Sequence, residues 1–285
     1  MVPIVIYHGN CADGFSAAWA VWKARPSYEF FAGKYQEDPP DVTGRDVYFV
    51  DFSYKRNVIL EMSKKARSII VLDHHKSSQE DLVDLPSNVS VYFDMNRSGA
   101  HIAWDHFHPG EPAPPLLLRV EDRDLWKFSY RDTKGISAYL FSQPYDFKQW
   151  DFLMRLSEDE HDLEEMESYG NVILKKQAKD IDEILQNKFR INLNGSEVWC
   201  ANLPYMWRSE AGHILSKDEP FAATFYTDGK YVIFSLRSAE DGSDVSEVAK
   251  KFGGGGHKHA AGFKVTFEEF VRIMDGRKDE KAIQV

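Results

Sequence analysis

The sequence predicts an α/β protein with an N-terminal domain built on a parallel sheet, a helical linker and a smaller C-terminal α/β domain. In the first half of the chain, short apolar runs alternate with amphipathic stretches, the pattern of a parallel sheet covered by helices. In the last third, apolar runs of strand length flank the dipeptide Asp228-Gly229, which favours a β-hairpin. The predicted domains are 1–150 and 191–285, with the linker at 151–190.

Each predicted element follows from its local pattern. Apolar runs predict strands at 3–7, 46–51, 68–73 and 89–93, and helical spacing predicts helices at 12–24, 55–66, 100–107 and 115–121. Residues 150–188 combine many acidic side chains with an apolar stripe, which is typical of a solvated connecting helix. In the C-terminal domain we expect strands at 197–203, 221–227 and 230–236 and a helix at 245–252.

The net charge of the chain is −10. Proteins that track along polynucleotides usually carry a basic surface, because phosphate neutralisation supplies most of their affinity. The acidic charge therefore argues against long nucleic acid, duplexes included, as the main ligand. It is compatible with a small anionic substrate that a few metal ions and arginines hold locally.

The two cysteines, Cys11 and Cys200, give no disulfide framework and suit a reducing cytoplasm. The apolar run that follows Met1 is too short for a signal sequence or a membrane span. We therefore expect a cytoplasmic protein that does not bind membranes. The sequence leaves the oligomeric state open.

Three predicted strands end in residues that can bind a metal. His8 follows the first strand, Asp51 the second, and an Asp-His-His triplet beginning at Asp73 ends the third. Ligands of open α/β sheets bind beyond the carboxyl ends of the strands. Carboxylates gathered there would repel one another and raise one another's pKa, and divalent cations reverse that cost. The pattern therefore predicts a metal site at this edge of the sheet.

Several segments resemble the successive motifs of the DHH phosphoesterase superfamily, which includes RecJ-like exonucleases, nanoRNases and cyclic-dinucleotide phosphodiesterases. In the N-terminal half they are His8-Gly-Asn-Cys-Ala-Asp13-Gly14, Val50-Asp51-Phe52, Asp73-His74-His75 and the segment around Asp122. In the C-terminal half, Phe234-Ser-Leu-Arg237-Ser238 and Gly253-Gly-Gly-Gly-His257-Lys-His259 resemble the DHH-associated substrate-binding domain. Both halves match in order, so the resemblance covers most of the chain outside the charged middle.

The resemblance implies a role for each matching residue. The implied metal ligands are His8, Asp13, Asp51, His74 and Asp122. Asp51 would bridge two ions and His75 would contact the scissile phosphate, so these two are the implied catalytic residues. Mixed imidazole and carboxylate ligation suits Mn²⁺, as one or two ions, although iron, cobalt or zinc would also fit.

The first motif departs from the family pattern. Family members usually carry two aspartates two residues apart, whereas here Cys11 stands two residues before the single Asp13. One metal site could be poorer in oxygen ligands, Cys11 could supply a thiolate, or a single ion could suffice; we favour a small buried apolar side chain. Asp124 could replace Asp122 as ligand or only orient a neighbour. His101 is expected in a helix, in the core or behind the site.

A glycine-rich segment follows the predicted C-terminal helix. Four successive glycines before His257 leave backbone amides open to close approach by a phosphate or a base. Alone, such a run is more typical of a flexible loop, but the same domain supplies an arginine that can bind phosphate in bidentate fashion. The predicted substrate-binding residues are Arg237, Ser238, Gly254, Gly255, Gly256 and His257, together with His75.

These features predict a manganese-dependent phosphodiesterase that hydrolyses short oligonucleotides or linear dinucleotides to nucleoside 5′-monophosphates. A single-strand exonuclease and an enzyme that removes a 3′-phosphate are close alternatives. A nucleotide-binding regulator that has lost catalysis belongs to a different class, and only the thinned first motif favours it. The sequence does not indicate the base preference or the strand polarity.

Overall fold

The computed structural model of the chain describes residues 1–9, 11–35 and 37–276. The chain divides into two compact units, Met1–Lys175 and Lys176–Val285, each built around its own β-sheet. The predicted domain limits at 150 and 190 stay a prediction. Within the described part of the chain, no helix is both long and apolar enough to span a membrane.

The first unit contains the parallel sheet that the sequence predicts, which confirms the α/β fold. Its five strands are β1 (Ile4–His8), β2 (Glu29–Gly33), β3 (Asp46–Val50), β4 (Ser68–Asp73) and β5 (Val89–Phe93). They lie in the order β2-β1-β3-β4-β5, and every neighbouring pair is parallel. The sequence pattern does not predict strand β2, because this short edge strand is partly exposed and lacks a continuous buried run.

Helices cover both faces of this sheet. In chain order, the helices between residues 12 and 185 are α1 (Ala12–Ala24), α2 (Arg56–Ser63), α3 (Lys76–Asp81), α4 (Gly99–Phe107), α5 (Pro115–Asp124), α6 (Thr133–Phe141), α7 (Phe147–Leu156) and α8 (Glu160–Leu185). Side-chain caps set two of the starts: Ser98 accepts from the N–H of His101 before α4, and Asp146 accepts from two amides before α7. Helix α8 runs through the division between the units and buries a stripe that includes Met166 and Ile181.

The central strands are apolar at successive positions because both faces of the sheet are buried. Val5 packs in the cluster that contains helix α1, whereas its neighbours Ile4 and Ile6 pack in the cluster that contains Ile59 of α2. All three strand residues are fully buried. The alternation of side chains along a strand distributes them between two cores.

The direction in which the chain adds strands to the sheet reverses between β1 and β3. The chain steps from β1 outward to β2, and then crosses back to β3 on the other side of β1. The loops that leave β1 and β3 therefore diverge, and in doubly wound sheets ligands bind in the crevice that this divergence opens. His8 is the last residue of β1 and Asp51 follows the last residue of β3.

The second unit is a six-stranded mixed sheet with helices. Its strands are β6 (Phe189–Leu193), β7 (Ser196–Asn202), β8 (Ala222–Thr227), β9 (Val232–Arg237), β10 (Gly255–His257) and β11 (Ala260–Val265), in the order β10-β11-β9-β8-β7-β6. Its helices are α9 (Arg208–Leu215), α10 (Val245–Lys250) and α11 (Phe267–Met274). The predicted hairpin at Asp228-Gly229 is present between β8 and β9.

The second half of the glycine run forms a strand. Strand β10 pairs antiparallel with β11, with Gly255 opposite Gly262 and His257 opposite Ala260. A Cβ added at Gly254 would lie 2.1 Å from the carbonyl oxygen of Gly262, and one added at Gly256 would lie 2.6 Å from that of Ala260. Close backbone packing thus explains glycine at these two positions, and a role of the run in substrate binding stays a prediction.

We expect Ser16→Ala to destabilise the first unit. Trp150 of α7 is fully buried, and its Nε1–H donates to the hydroxyl of Ser16 in α1 at 3.0 Å. Removal of the acceptor leaves a buried N–H unpaired, which costs roughly 1–3 kcal/mol. Urea unfolding followed by tryptophan fluorescence measures the change. The control is Ser142→Ala, whose exposed hydroxyl donates to the carbonyl of Tyr139 and accepts from the exposed side-chain amide of Gln143, a donor that water can satisfy; equal midpoints for the two variants would contradict the prediction.

Candidate metal centre and active site

Five polar side chains converge where β1, β3 and β4 end: those of His8, Asp13, Asp51, His74 and Asp124. The Nε2 atom of His74 lies 3.1 Å from Asp51 Oδ1 and 3.6 Å from Asp13 Oδ2. The same nitrogen lies 3.4 Å from Asp124 Oδ2. His8 Nδ1 lies 3.5 Å from the other oxygen of Asp51. Asp51 is therefore the side chain that contacts both imidazoles.

The backbone of Asp51 is held in an unusual conformation. Its φ is +54°, in the left-handed region that residues other than glycine seldom adopt. Its N–H donates to the carbonyl of Leu72 at 2.9 Å, which ties it to β4. A Cβ added at Gly99 would lie 2.3 Å from the Cβ of Asp51, so only glycine lets α4 begin here. Neighbouring elements thus hold the strained residue in place.

Asp13 is placed by the first turns of two helices. It lies at the start of α1 and is 2% exposed. Its carboxylate accepts from the N–H of Gly99 at 2.7 Å and of Ala100 at 3.1 Å, at the N-terminus of α4, which favours a negative charge. A Cβ added at Gly14 would lie 2.3 Å from the carbonyl oxygen of His8. That glycine therefore lets α1 start directly against the end of β1.

Asp73, the last residue of β4, orients the two histidines that follow it. Its Oδ1 accepts from the backbone N–H of His74 at 2.7 Å and of His75 at 3.2 Å, and lies 2.7 Å from His75 Nδ1. The Asp73 carboxylate therefore fixes the direction of the His75 ring through its Nδ1 edge. The triplet therefore combines one orienting acid with two imidazoles that reach the cluster.

The structure places Asp122 outside the cluster, unlike the sequence-based prediction. Its Oδ1 accepts from the N–H of Ser129 at 2.8 Å. Its Oδ2 accepts from the N–H of Tyr130 at 3.2 Å and from the hydroxyl of Thr133 at 2.5 Å. The carboxylate thus fixes the loop that follows α5, and Asp124 is the residue of this segment that faces the cluster.

Helix geometry explains why only one of two acids so close in sequence faces the cluster. Residues two apart on an α-helix point about 200° away from each other, so Asp122 and Asp124 at the end of α5 cannot serve the same site. The sequence raised Asp124 as the alternative ligand, but its pattern does not decide which face of α5 meets the sheet edge.

The cluster holds more negative charge than its imidazoles can balance. Burial, together with the carboxylates of Asp51 and Asp124, raises the pKa of Asp13 well above its ordinary value. Burial and Asp51 also raise the pKa of Asp124, although His74 opposes the shift. Despite burial, hydrogen bonds from His74 and His8 lower the pKa of Asp51, and the bond to Asp51 raises the pKa of His74.

The donor set fits a divalent cation. One ligand atom from each of Asp13, Asp51 and His74 lies within 4.8 Å of the others, and the same holds for His8, Asp51 and His75. Among the described residues, the buried Oδ2 of Asp124 has no hydrogen-bond partner. A cation would satisfy this oxygen and offset the repulsion between the acids. Carboxylate with imidazole suits manganese, iron, cobalt or zinc.

Two further residues named from the sequence lie beside this cluster. Cys11 precedes α1 and is partly buried; burial and the carboxylates of Asp51 and Asp124 raise the pKa of its thiol to about 12. When no cation is bound, the thiol is therefore neutral at neutral pH. His101 Nδ1 lies 2.8 Å from Glu121, so this histidine supports the start of α4 from behind.

In the second unit, Arg237 and His257 share one face of the sheet. Both pair with Ala260 of β11, from opposite sides, so their side chains point the same way about two strand spacings (~10 Å) apart. The hydroxyl of Ser238 lies 3.0 Å from His259 Nδ1. Arg237 also donates to the hydroxyl of Ser209 in α9 at 2.8 Å.

Similar proteins agree with this architecture. The DHHA1 domain family matches residues 208–277. The uncharacterized protein R106 of Acanthamoeba polyphaga mimivirus is 31% identical over 92% of this chain and 67% of its own length. The chain belongs to the DHH superfamily of phosphoesterases. The family resemblance of the sequence motifs is thereby confirmed, and the C-terminal unit contains the DHHA1 domain.

This DHH protein is also similar to one further relative in sequence and to one solved structure in fold. Oligoribonuclease NrnB of Bacillus subtilis is 28% identical over 70% of this chain. The chain spans about half of that protein, 53% of its length. The DHH domain of PF0399, described as belonging to a family of ribosomal proteins, superposes with a TM-score of 0.53 at 13% identity, covering 96% of this chain and 85% of that one. This last likeness shows the fold alone.

In metal-free buffer we expect Asp124→Asn to stabilise the protein. Because folding raises the pKa of Asp124, its protonated form contributes stability that is lost as the pH rises above the ordinary value of 3.8. The asparagine amide is neutral at every pH, so the gain in unfolding free energy of Asp124→Asn over wild type should be larger at about pH 7 than at about pH 4. Chemical denaturation in the presence of EDTA measures it.

Asp122→Asn is the matched control, and we expect this substitution to destabilise the protein. Despite its burial, hydrogen bonds from Thr133, Ser129 and Tyr130 lower the pKa of Asp122. Loss of that acceptor should cost roughly 1–3 kcal/mol. A metal-free Asp124→Asn protein less stable than Asp122→Asn would show that the two acids have been assigned the wrong way round.

Proposed function

We propose that this DHH protein is a metal-dependent phosphodiesterase that hydrolyses short oligonucleotides or linear dinucleotides to nucleoside 5′-monophosphates. The observation that supports it most is the group of three carboxylates around the buried His74, two of them buried (Asp13 and Asp51) and one partly exposed (Asp124), at the reversal point of a parallel sheet. The Bacillus relative carries the name oligoribonuclease, and this chain spans about half of it.

The proposed metal ligands are His8, Asp13, Asp51, His74 and Asp124, with Asp124 in the place first given to Asp122. When bound, one or two divalent cations, most suitably Mn²⁺, lower the pKa of a water molecule and neutralise charge on the reacting phosphate. Asp51 would serve both ions, since each of its oxygens faces a different imidazole. Its strained backbone fixes it there before substrate binds.

His75 would bind the reacting phosphate. Its ring is held by the 2.7 Å contact between Nδ1 and Asp73, so its direction is set by β4 rather than by a flexible loop. The side chain is 11% exposed, which restricts water around it. Donors fixed in advance stabilise the charge that develops on a phosphate without reorganisation.

In the second unit, Arg237, Ser238 and His257 would bind an anionic group of the substrate that does not react. Arg237 and His257 lie on one sheet face with only the small Ala260 between them, so an anionic group placed above Ala260 can be approached from both sides. The net charge of −10 favours small substrates over long strands. A cytoplasmic location, which the free Cys11 and Cys200 suit, is part of this proposal.

With Mn²⁺ present, we expect turnover to be fastest on oligonucleotides of two to about five residues, because the net charge of −10 disfavours binding of a longer polyanion. The measurement compares kcat/KM for dinucleotides and single strands of increasing length, with EDTA as the metal-free control. A rate that rises steadily with length would favour a single-strand exonuclease. Release of inorganic phosphate from a 3′-phosphorylated nucleotide would favour the monoesterase.

Two substitutions should separate the roles of the two units. His75→Ala should lower kcat by roughly 100-fold or more, because it removes a fixed donor to the reacting phosphate. Arg237→Ala should raise KM about tenfold with little change in kcat. The matched controls are His161→Ala and Arg272→Ala, which alter side chains on α8 and α11 outside both sites. A His75→Ala enzyme with the wild-type rate would break the assignment.

A second candidate function is a nucleotide-binding regulator without catalysis. It is favoured by Cys11, which stands where the family usually has a carboxylate and carries a neutral thiol. It predicts that nucleoside monophosphates bind but that no preparation of the wild-type protein hydrolyses phosphodiesters. Metal-dependent turnover that disappears in Asp51→Asn would exclude it.

A further inference from the structure

One aromatic side chain at the edge of the metal centre has no role in the proposed function. Tyr35 lies two residues past β2, at the sheet edge where β1 ends in His8. Its ring centroid lies 5.4 Å from that of His8 and 6.5 Å from that of His75, with interplanar angles of 71° and 74°. The residue is 43% exposed. An accessible ring therefore stands beside both imidazoles.

A rigid base supports this ring. Phe52, which follows Asp51 and is fully buried, lies 4.9 Å from Tyr35, centroid to centroid. A Cβ added at Gly33 would lie 2.7 Å from a ring carbon of Phe52, so glycine at the end of β2 leaves the room that Phe52 needs. Tyr35 thus rests on a core residue on one side and remains accessible on another, and little ordering is required to bind against it.

The position of the ring decides what it can contact. If His75 binds the reacting phosphate, the groups attached to that phosphate must pass within reach of a ring 6.5 Å from His75. The cluster itself consists of imidazoles and carboxylates, which suit metal and phosphate rather than a flat apolar group, and the neighbouring ring of Phe52 is fully buried. Tyr35 is the accessible aromatic surface that the described contacts place against this pair of imidazoles.

We propose that Tyr35 is the stacking platform for the nucleobase of the nucleotide whose phosphate reacts. This inference rests on the proposed function, because it requires a nucleotide substrate at His75. Stacking tolerates any base, since every base has a π face. The enzyme should therefore accept all four bases at this position, with the base recognised as an aromatic surface and not by hydrogen bonds to its edge.

The test measures steady-state kinetics on a linear dinucleotide with Mn²⁺. Tyr35→Leu should raise KM about tenfold or more, whereas Tyr35→Phe and Tyr35→Trp should stay within about twofold of wild type. Two dinucleotides that each lack one base identify the stacked position: with one of them, Tyr35→Leu should change KM by less than about twofold. The control Tyr169→Leu, at a residue of α8 that is 56% exposed, should match wild type.

Each outcome separates this inference from the proposed function. An unchanged KM for Tyr35→Leu, an equal loss in Tyr35→Phe, or an equal loss with both base-lacking substrates overturns the platform while the phosphodiesterase stands. If wild type hydrolyses neither dinucleotides nor oligonucleotides of up to about five residues, the proposed function fails. The platform is then judged by calorimetry, in which Tyr35→Leu must weaken binding of a nucleoside 5′-monophosphate but not of ribose 5-phosphate. Tyr35→Trp, which keeps the ring, guards against loss of folding in Tyr35→Leu.

Discussion

The repulsion among three carboxylates packed around one imidazole is the constraint on which the N-terminal unit depends. Asp13, Asp51 and Asp124 all lie within 3.6 Å of His74 Nε2, in a setting that raises the pKa of two of them. A structural core gains nothing from such crowding, because each acid loses hydration and faces like charge. The arrangement is favourable only when positive charge enters it, so the cost in stability is the physical signature of a site built for a cation.

Features of the backbone, rather than the acids themselves, hold these carboxylates close together. Strands β1 and β3 are neighbours whose ends lie side by side, and glycines at 14 and 99 let two helices start directly against those ends. Asp51 is held with φ at +54°, and Asp73 orients the histidines that follow it. Each device acts before any ligand binds. The same logic extends to Tyr35, whose ring is seated on the buried Phe52.

Much of this could be predicted from the sequence, because buried parallel strands are apolar at every position and leave their polar residues at the ends. That regularity located His8, Asp51 and the histidine pair at one edge. The choice between Asp122 and Asp124 could not be made, since it depends on which face of α5 meets the sheet. The strand within the glycine run could not be predicted either, because a sequence does not show the close β10–β11 pairing that requires glycine there. Strand β2 could not be predicted either, since its apolar run is only three residues long, Phe30 to Ala32, between Glu29 and Gly33.

Isothermal titration of the metal-free protein with Mn²⁺ tests the central claim most directly. Wild type should bind one or two ions, and the Asp124→Asn protein should lose at least one of them. The Asp122→Asn protein should bind as wild type does, since that carboxylate is engaged by the loop after α5. Binding that survives in Asp124→Asn and disappears in Asp122→Asn, or the absence of any binding to the wild-type protein, would contradict a cation site at this edge of the sheet.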